Sequence, residues 1–324
     1  MRRCLVTGGT GFIGTNLVRR LLADGHEVDL LVRPQHQTWR IKDILSDVRL
    51  HKVDLTDAAR LKFILRKIKP EWIFHLAAYG AYSFQRSFSR MLEINLQGTI
   101  NLVEAGINSG FAAFVNVGSS SEYGFKDHAP KEDEAVVPNS HYAVTKACAT
   151  LYCQHQAIGK KAKIVTLRPY SVYGPFEEPT RLLPTLIVKG LQGKLPLLTD
   201  PAVARDYIYV DDFVDACLLV AHRKAAEEAA IYNVSTGVQT SLKELVALTR
   251  RYLPIQEKPK WGSMKNRSWD TNIWVGDSRK IHKAFGWSPR HTLTQGFQKM
   301  VQWFNSHPEM FEFCSATVKK NNHS

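Results

Sequence analysis

Eight residues near the amino end constrain the fold more than any other part of the chain. Thr7-Gly8-Gly9-Thr10-Gly11-Phe12-Ile13-Gly14 joins a strand-like run, Cys4–Thr7, to a helical pattern over Phe12–Ala23. Gly8 permits the tight turn, Gly11 lets a pyrophosphate approach the backbone, and Gly14 lets the helix pack on the strand. The free N–H groups and positive end of the helix then face the phosphates. A glycine triplet alone is weak evidence, but a strand before it and a helix after it are the context that dinucleotide binding requires. Gly8, Gly11, Phe12, Ile13 and Gly14 are therefore expected to hold a dinucleotide.

The rest of the first half keeps the rhythm that this start demands. Strand-like runs at Glu27–Val32, Val48–Val53, Trp72–Leu76, Ala113–Val117 and Lys163–Leu167 alternate with helical patterns over Asp57–Ile68, Ser87–Ser109 and His141–Ile158. Such alternation means βαβ units and a parallel sheet. Right-handed crossovers make it a doubly wound α/β sheet of the Rossmann type. After Pro169 the pattern loosens, with prolines at 175, 179, 184, 196 and 201. We expect a dinucleotide-binding domain over 1–170, to which segments near 206–234 return. A smaller, mainly substrate-binding α/β unit is expected over 171–317, and 318–324 should fray.

Composition closes off other classes. With 44% apolar and 23% charged residues over 324 positions, the chain is neither collagen-like nor broadly disordered. The cysteines, Cys4, Cys148, Cys153, Cys217 and Cys314, are odd in number and form no CxxC, so neither a disulfide framework nor a metal is expected. Apolar runs such as Ala216–Ala221 are far below the ~20 residues of a membrane span, and no secretory signal is read. A soluble cytoplasmic protein without membrane or nucleic-acid partners is the expectation. Lys and Arg outnumber Asp and Glu 43 to 30, a net charge of +13, which suits an anionic small-molecule ligand.

Two further features point to chemistry. Tyr142 and Lys146 stand at i and i+4 and share a helix face, where a nearby ammonium lowers a phenol's pKa and equips it to exchange a proton. Gly118-Ser119-Ser120-Ser121-Glu122 ends the fifth strand, where a serine hydroxyl can bond a substrate oxygen. At the end of the second strand, where an acid often binds the adenosine ribose, the run is Val32-Arg33. An arginine there can pair with a 2′-phosphate, which favours NADP over NAD. Asp54 and Leu55, after the third strand, can flank the adenine.

With these residues in place the chain resembles the extended short-chain dehydrogenase/reductase family, the epimerases, dehydratases and reductases of nucleoside-diphosphate sugars. The resemblance spans nearly the whole chain. His75-Leu76-Ala77-Ala78 is similar to the family's fourth-strand motif, which places Ala77 and Ala78 by the nicotinamide. Asn95 in Glu93-Ile94-Asn95-Leu96 matches its helix asparagine, at the cofactor. Ser120, Tyr142 and Lys146 fall on its catalytic triad, with Ser119 and Ser121 as alternative hydroxyls. Arg168-Pro169-Tyr170-Ser171-Val172-Tyr173-Gly174-Pro175 resembles RxxNVYGP, with Ser171 in place of asparagine. Arg205-Asp206-Tyr207 and Arg267-Ser268-Trp269-Asp270 resemble its two arginine segments.

The resemblance implies hydride chemistry on a nucleoside-diphosphate sugar. The first expectation is NADP-dependent reduction of a 4-keto-6-deoxy sugar nucleotide, with Tyr142 as general acid, Ser120 polarising the carbonyl and Lys146 holding tyrosine and ribose. NAD is the alternative cofactor. Glu122 keeps a 4,6-dehydratase open as an acid/base group, a 4-epimerase is the other enzymatic alternative, and a non-catalytic NADP sensor the distant one. Ser121, Ser171, Arg181, Arg205 and Arg267 are expected on the substrate, the last two at its diphosphate. A homodimer is expected.

Overall fold

The structure is a computed structural model and describes residues 1–223, 229–267 and 269–321. The first half runs β1 (Arg3–Thr7), α1 (Phe12–Ala23), β2 (Glu27–Val32), β3 (Val48–Lys52), α2 (Ala58–Ile68), β4 (Trp72–His75), α3 (Phe88–Met91), α4 (Gly98–Ser109), β5 (Ala113–Val117), α5 (His141–Lys160) and β6 (Ile164–Pro169). Then follow β7 (Ser171–Tyr173), α6 (Leu182–Leu191), β8 (Ala204–Tyr209), α7 (Val210–His222), β9 (Ile231–Val234), β10 (Gln239–Ser241), α8 (Leu242–Tyr252), α9 (Arg279–Phe285), α10 (Leu293–Ser306) and α11 (Pro308–Asn321).

Seven parallel strands form the main sheet in the order β3-β2-β1-β4-β5-β6-β9. The chain leaves β1 for β2 and β3 on one side, then returns to β4 beside β1 and builds outward the other way. That reversal opens a crevice at the carboxyl ends of β1 and β4, where open α/β sheets bind ligands. The central strands read as unbroken apolar runs because helices cover both faces. One face packs Leu17 and Val18 of α1 against Phe213 and Cys217 of α7, and the other packs Leu61, Leu102 and Cys153 of α2, α4 and α5.

A three-stranded sheet, β10-β8-β7, anchors the smaller unit around Leu186, Leu245 and Phe297. The chain returns to the large sheet with α7 and β9, whereas β8, at the start of the stretch expected to return, stays in the small sheet. The tail expected to fray from residue 318 instead continues α11 to Asn321, because Val318 is buried on its inner face. Residues 322–324 lie outside the described part. Among the described residues no helix is long and apolar enough to cross a membrane.

Candidate active site

The glycine loop has the shape that its spacing required. Gly8 sits at φ +69°, and a Cβ there would come within 2.7 Å of the Ala77 nitrogen. A Cβ on Gly14 would lie 2.1 Å from the Gly8 carbonyl oxygen, so α1 packs this close only with glycine there. Gly11 donates its N–H to that oxygen (2.9 Å) and caps α1 without a side chain, and the first turn, from buried Phe12 and half-buried Ile13, holds no acid. The helix start therefore presents bare N–H groups and a positive end, and the cradle fits a pyrophosphate. Arg33, exposed just beyond β2, makes no side-chain hydrogen bond among the described residues. Asp29, mid-strand, is held by Arg49 and His51 (3.0 and 2.7 Å). Asp54 accepts from Thr56 and pairs with Arg90, while Leu55 packs on Gly98.

Behind β4 a buried polar chain fixes the strand end that the resemblance places beside a nicotinamide. His75 Nδ1 lies 2.7 Å from the Thr7 hydroxyl and Nε2 lies 2.8 Å from the Thr99 hydroxyl. The Thr99 hydroxyl donates to the Asn95 carbonyl, so His75 Nε2 carries the proton in this network. Burial pulls His75 down to about 3, with Lys146 adding to the effect, so the ring is neutral. Asn95 lies in a wide π-type turn, Leu92–Gln97. Its amide bonds the Tyr79 N–H and carbonyl (both 2.8 Å) and the Thr145 hydroxyl (2.9 Å). Expected to touch the cofactor, Asn95 instead spends its amide on protein and pins the loop carrying Ala77 and Ala78 to α5.

Ser140 caps α5 by accepting from the Ala143 N–H (3.2 Å), which sets Tyr142 in the first turn and Lys146 one turn on. Three expectations change here. First, the serine hydroxyl whose influence reaches the Tyr142 phenol is that of Ser119, not Ser120. Ser119 starts the turn after β5, and Ser120 rotates away to a small cavity beside Tyr123, Tyr170 and Trp274. Ser121 donates its N–H to the Ser119 hydroxyl (3.1 Å). Second, Glu122 is fully buried under the turn. It accepts from the Ser119 N–H (2.8 Å) and Thr150 hydroxyl (3.1 Å) and pairs with Arg168 at 2.9 Å. Both oxygens are engaged by protein donors and the side chain is fully buried, which makes Glu122 a supporting carboxylate in this geometry rather than one that faces a substrate. Third, Tyr142 is pushed up to about 12 by burial, with the Ser119 hydroxyl pulling it back, rather than lowered by the lysine. Lys146 is buried and donates to the Val117 carbonyl at 2.5 Å.

The opposite wall comes from the smaller unit. Ser171 opens β7, in register with Tyr207 of β8. Arg205 donates to Asp270 (3.0 Å) and to the Ala204 carbonyl (2.7 Å), and its guanidinium sits over the Trp274 ring at 5.5 Å. Asp270 also accepts the Arg267 backbone N–H (2.9 Å), so the two arginine segments meet, while the Arg267 side chain is exposed near the Trp269 ring. Ser268 of that motif lies outside the described residues. A groove of about 390 Å³ opens beside them, lined by Phe125, Asp200, Asn266, Asp270 and Asn272. Arg181 precedes α6, and its charge acts on Tyr142, Tyr82 and Tyr207 and on Arg205.

Sequence reasoning passed over Tyr82, Glu177 and Arg40, which carry no motif. Tyr82 lies half-buried in the loop after β4, within reach of the charges of Arg40, Glu178, Arg181 and Glu177. Arg40, in the segment after β2, is itself buried. Its guanidinium donates to the Phe176 carbonyl (2.8 Å) and pairs with Glu178 (3.2 Å), and its carbonyl accepts from Thr15 (2.9 Å) and Arg19 (2.8 Å). Phe176 is held at φ +66°, which a bulky residue adopts only when its surroundings over-determine it.

Known proteins share this plan. The chain is 32% identical to a UDP-glucose 4-epimerase of Mycolicibacterium smegmatis, over 94% of this chain and 99% of that one. It is 30% identical to a dTDP-glucose 4,6-dehydratase of Streptomyces griseus, over 95% of each. Among solved structures, the UDP-glucose 4-epimerase of Thermotoga maritima with UDP-glucose superposes at a TM-score of 0.85, with 26% identity over 94% of this chain and 98% of that one. MoeE5 in complex with UDP-glucuronic acid and NAD superposes at 0.82, with 30% identity over 94% and 99%. The profile of the NAD dependent epimerase/dehydratase family matches residues 4–235. By sequence, topology and the placement of the glycine loop and Tyr142, the chain belongs to the NAD dependent epimerase/dehydratase family, within the extended short-chain dehydrogenases/reductases.

Proposed function

We propose that this protein carries out hydride chemistry at the C4 position of a nucleoside-diphosphate sugar, with reduction of a 4-keto sugar nucleotide as its first activity. One observation carries the reading: a half-buried Tyr142 in the first turn of α5, near the Ser119 turn and one helical turn before the buried Lys146, where desolvation keeps the phenol protonated. A protonated phenol is ready to give a proton to a ketone oxygen. Ser119 would bond the same oxygen and hold it against the phenol, and Lys146 would support the cofactor ribose beneath them. Gly8, Gly11, Gly14 and the first turn of α1 would hold the cofactor's pyrophosphate, and the bound nicotinamide supplies hydride. Arg33, exposed beyond β2 with no side-chain hydrogen bond among the described residues, supports NADP, with NAD the alternative because the solved relatives named above include a complex with NAD.

The sugar nucleotide is supported by the relatives' UDP-sugar complexes, by Arg181, whose charge acts on Tyr142, and by the Arg205 and Arg267 segments, which meet at Asp270. 4-Epimerisation is the second reading, favoured by the full-length Mycolicibacterium relative. 4,6-Dehydration is supported by the Streptomyces relative, but not by Glu122, which is walled off by Arg168 and Thr150. The test incubates the protein with NADPH or NADH and a panel of 4-keto-6-deoxy sugar nucleotides, and separately with UDP-, dTDP-, GDP- and CDP-hexoses. Cofactor consumed in proportion to product supports reduction. Exchange of C4 epimers without net consumption replaces it with epimerisation, and turnover that survives Tyr142→Phe sinks both. A homodimer is part of this proposal. Val144, Leu151 and Ile158 recur every seven residues along α5 and are 36%, 56% and 66% exposed, a stripe suited to a second copy. Ile158→Glu should then give a monomer in sedimentation, and an unchanged mass would refute that face.

A further inference from the structure

The segment between β7 and α6 holds a carboxyl that the reaction above does not use. Glu177 is 6% exposed, and one of its oxygens, Oε2, is buried with no hydrogen-bond partner. The other, Oε1, lies 3.7 Å from Arg181 Nε. Burial pushes Glu177 up to about 8, against the pull of Arg181 and the Gly174 N–H. The remaining groups around it are Glu178, which is tied to Arg40, and the phenols of Tyr82, Tyr173 and Tyr207, all raised by burial. Arg181 is 45% exposed at its side chain, and its two terminal nitrogens make no protein hydrogen bond among the described residues. It is also the cation whose charge reaches Tyr142, Tyr207 and Arg205 together.

We propose that Glu177 competes with the substrate's diphosphate for Arg181, releasing the guanidinium when protonated and holding it back when ionised. The inference rests on the nucleotide-sugar reading and names a specificity-determining partner within that site. An ionised Glu177 is a short-range anion in the turn before α6, 3.7 Å from the guanidinium, with a solvent-free oxygen that a cation or a proton can satisfy. A phosphate arriving at Arg181 brings more negative charge toward the same carboxyl and favours its protonation. Ligand binding at alkaline pH must then take up a proton, and by linkage rising pH must weaken the ligand.

The experiment titrates wild type with UDP, dTDP, GDP and CDP by calorimetry at pH 7.5, then follows the tightest at pH 7.5 and 9.5. The terminal phosphate, with a pKa near about 6, is ionised throughout that interval. Wild type should bind roughly three- to tenfold more weakly at pH 9.5, a fall sized for a half-exposed charge pair. Proton uptake at the higher pH should appear when buffers of different ionisation enthalpy are compared. Glu177→Gln should keep its pH 7.5 affinity at pH 9.5, and Arg181→Gln should be weak and flat at both. A pH-induced fall that survives in Glu177→Gln, or a Glu177→Gln that binds as poorly as Arg181→Gln at pH 7.5, overturns the competition. Tight but pH-independent binding by wild type overturns it alone. If wild type binds none of the four, the nucleotide-sugar reading falls with it.

Discussion

Glu122→Gln separates a carboxylate that supports the fold from one that does chemistry. The wild-type side chain accepts on both oxygens, from the Ser119 N–H and Thr150 hydroxyl on one and from Arg168 on the other. Glutamine has a single oxygen. Turned to Ser119, it sets its NH₂ against the Arg168 N–H; turned to Arg168, it sets the NH₂ against the Ser119 N–H. Either way two buried donors face each other and a neutral amide replaces the anion beside an arginine 3% exposed, whose other side-chain hydrogen bond among the described residues is to the Tyr123 hydroxyl (2.8 Å). Breaking a buried pair while leaving one charge behind costs about 3–5 kcal/mol. For a chain of 324 residues each kcal/mol moves the melting midpoint by roughly 1.5 °C. The variant should therefore melt roughly 4–8 °C below wild type in circular dichroism at pH 7, while kcat at 20 °C falls less than about tenfold. Adding Arg168→Gln should recover part of the loss, since the unpaired charge is then gone. A variant that melts with wild type yet loses kcat a hundredfold would refute the supporting role and restore Glu122 to the chemistry.

Ser119→Ala should lower kcat by about 10²-fold, as removal of a polarising hydroxyl does, whereas Ser120→Ala should stay within a few-fold; the reverse ranking in steady-state assays would return the catalytic hydroxyl to Ser120. Wild type should bind NADPH more tightly than NADH, and Arg33→Ala should shrink the gap in fluorescence titrations; equal or tighter NADH binding by wild type defeats the NADP reading. Arg205→Lys and Arg267→Lys should raise the substrate KM about tenfold with NADPH affinity unchanged, because lysine does not reproduce the bidentate fork, and a fall in NADPH affinity alone would move both arginines to the cofactor. Glu177 binds its proton more tightly in the fold than in the unfolded chain, so stability should decline as pH rises from about 4.5 to about 8 and then level off. The decline is at most about 5 kcal/mol at 1.4 kcal/mol per pH unit, and Glu177→Gln should flatten it in urea titrations; an unchanged slope would show that the carboxyl ionises freely.

The large sheet was legible because each strand is an apolar run bounded by turn residues and each helix repeats with the helical period. Phe12–Ala23, Glu27–Val32 and Ala113–Val117 were read at the ends where they occur. The smaller unit was less legible. α6 begins between Pro179 and Pro184, and β7, β8 and β10 are short and half-buried, so their patterns carry little signal. Tyr142 and Lys146 were placed by their spacing on one helix. Which serine faces the phenol was not, because three consecutive hydroxyls differ only in the turn that Ser119 caps. Glu122 misled for a related reason: a carboxylate beside a catalytic turn reads the same whether it points outward or pairs inward with Arg168, forty-six residues away. Tertiary partners that distant leave no local trace in the sequence.

Arg40 bears on any attempt to exchange the cofactor preference of this enzyme. Swapping the stretch after β2 is the obvious route, since Arg33 lies at its start. That stretch ends on a guanidinium anchoring Phe176 and Glu178, neighbours of the carboxyl that faces Arg181. A transplanted segment without Arg40 would loosen the sugar-nucleotide wall while altering the adenosine end, and selection for a new cofactor would be read out through a substrate site that had moved. Under the proposed function the two preferences are coupled through Arg40, and a graft that retains it should change the first without the second.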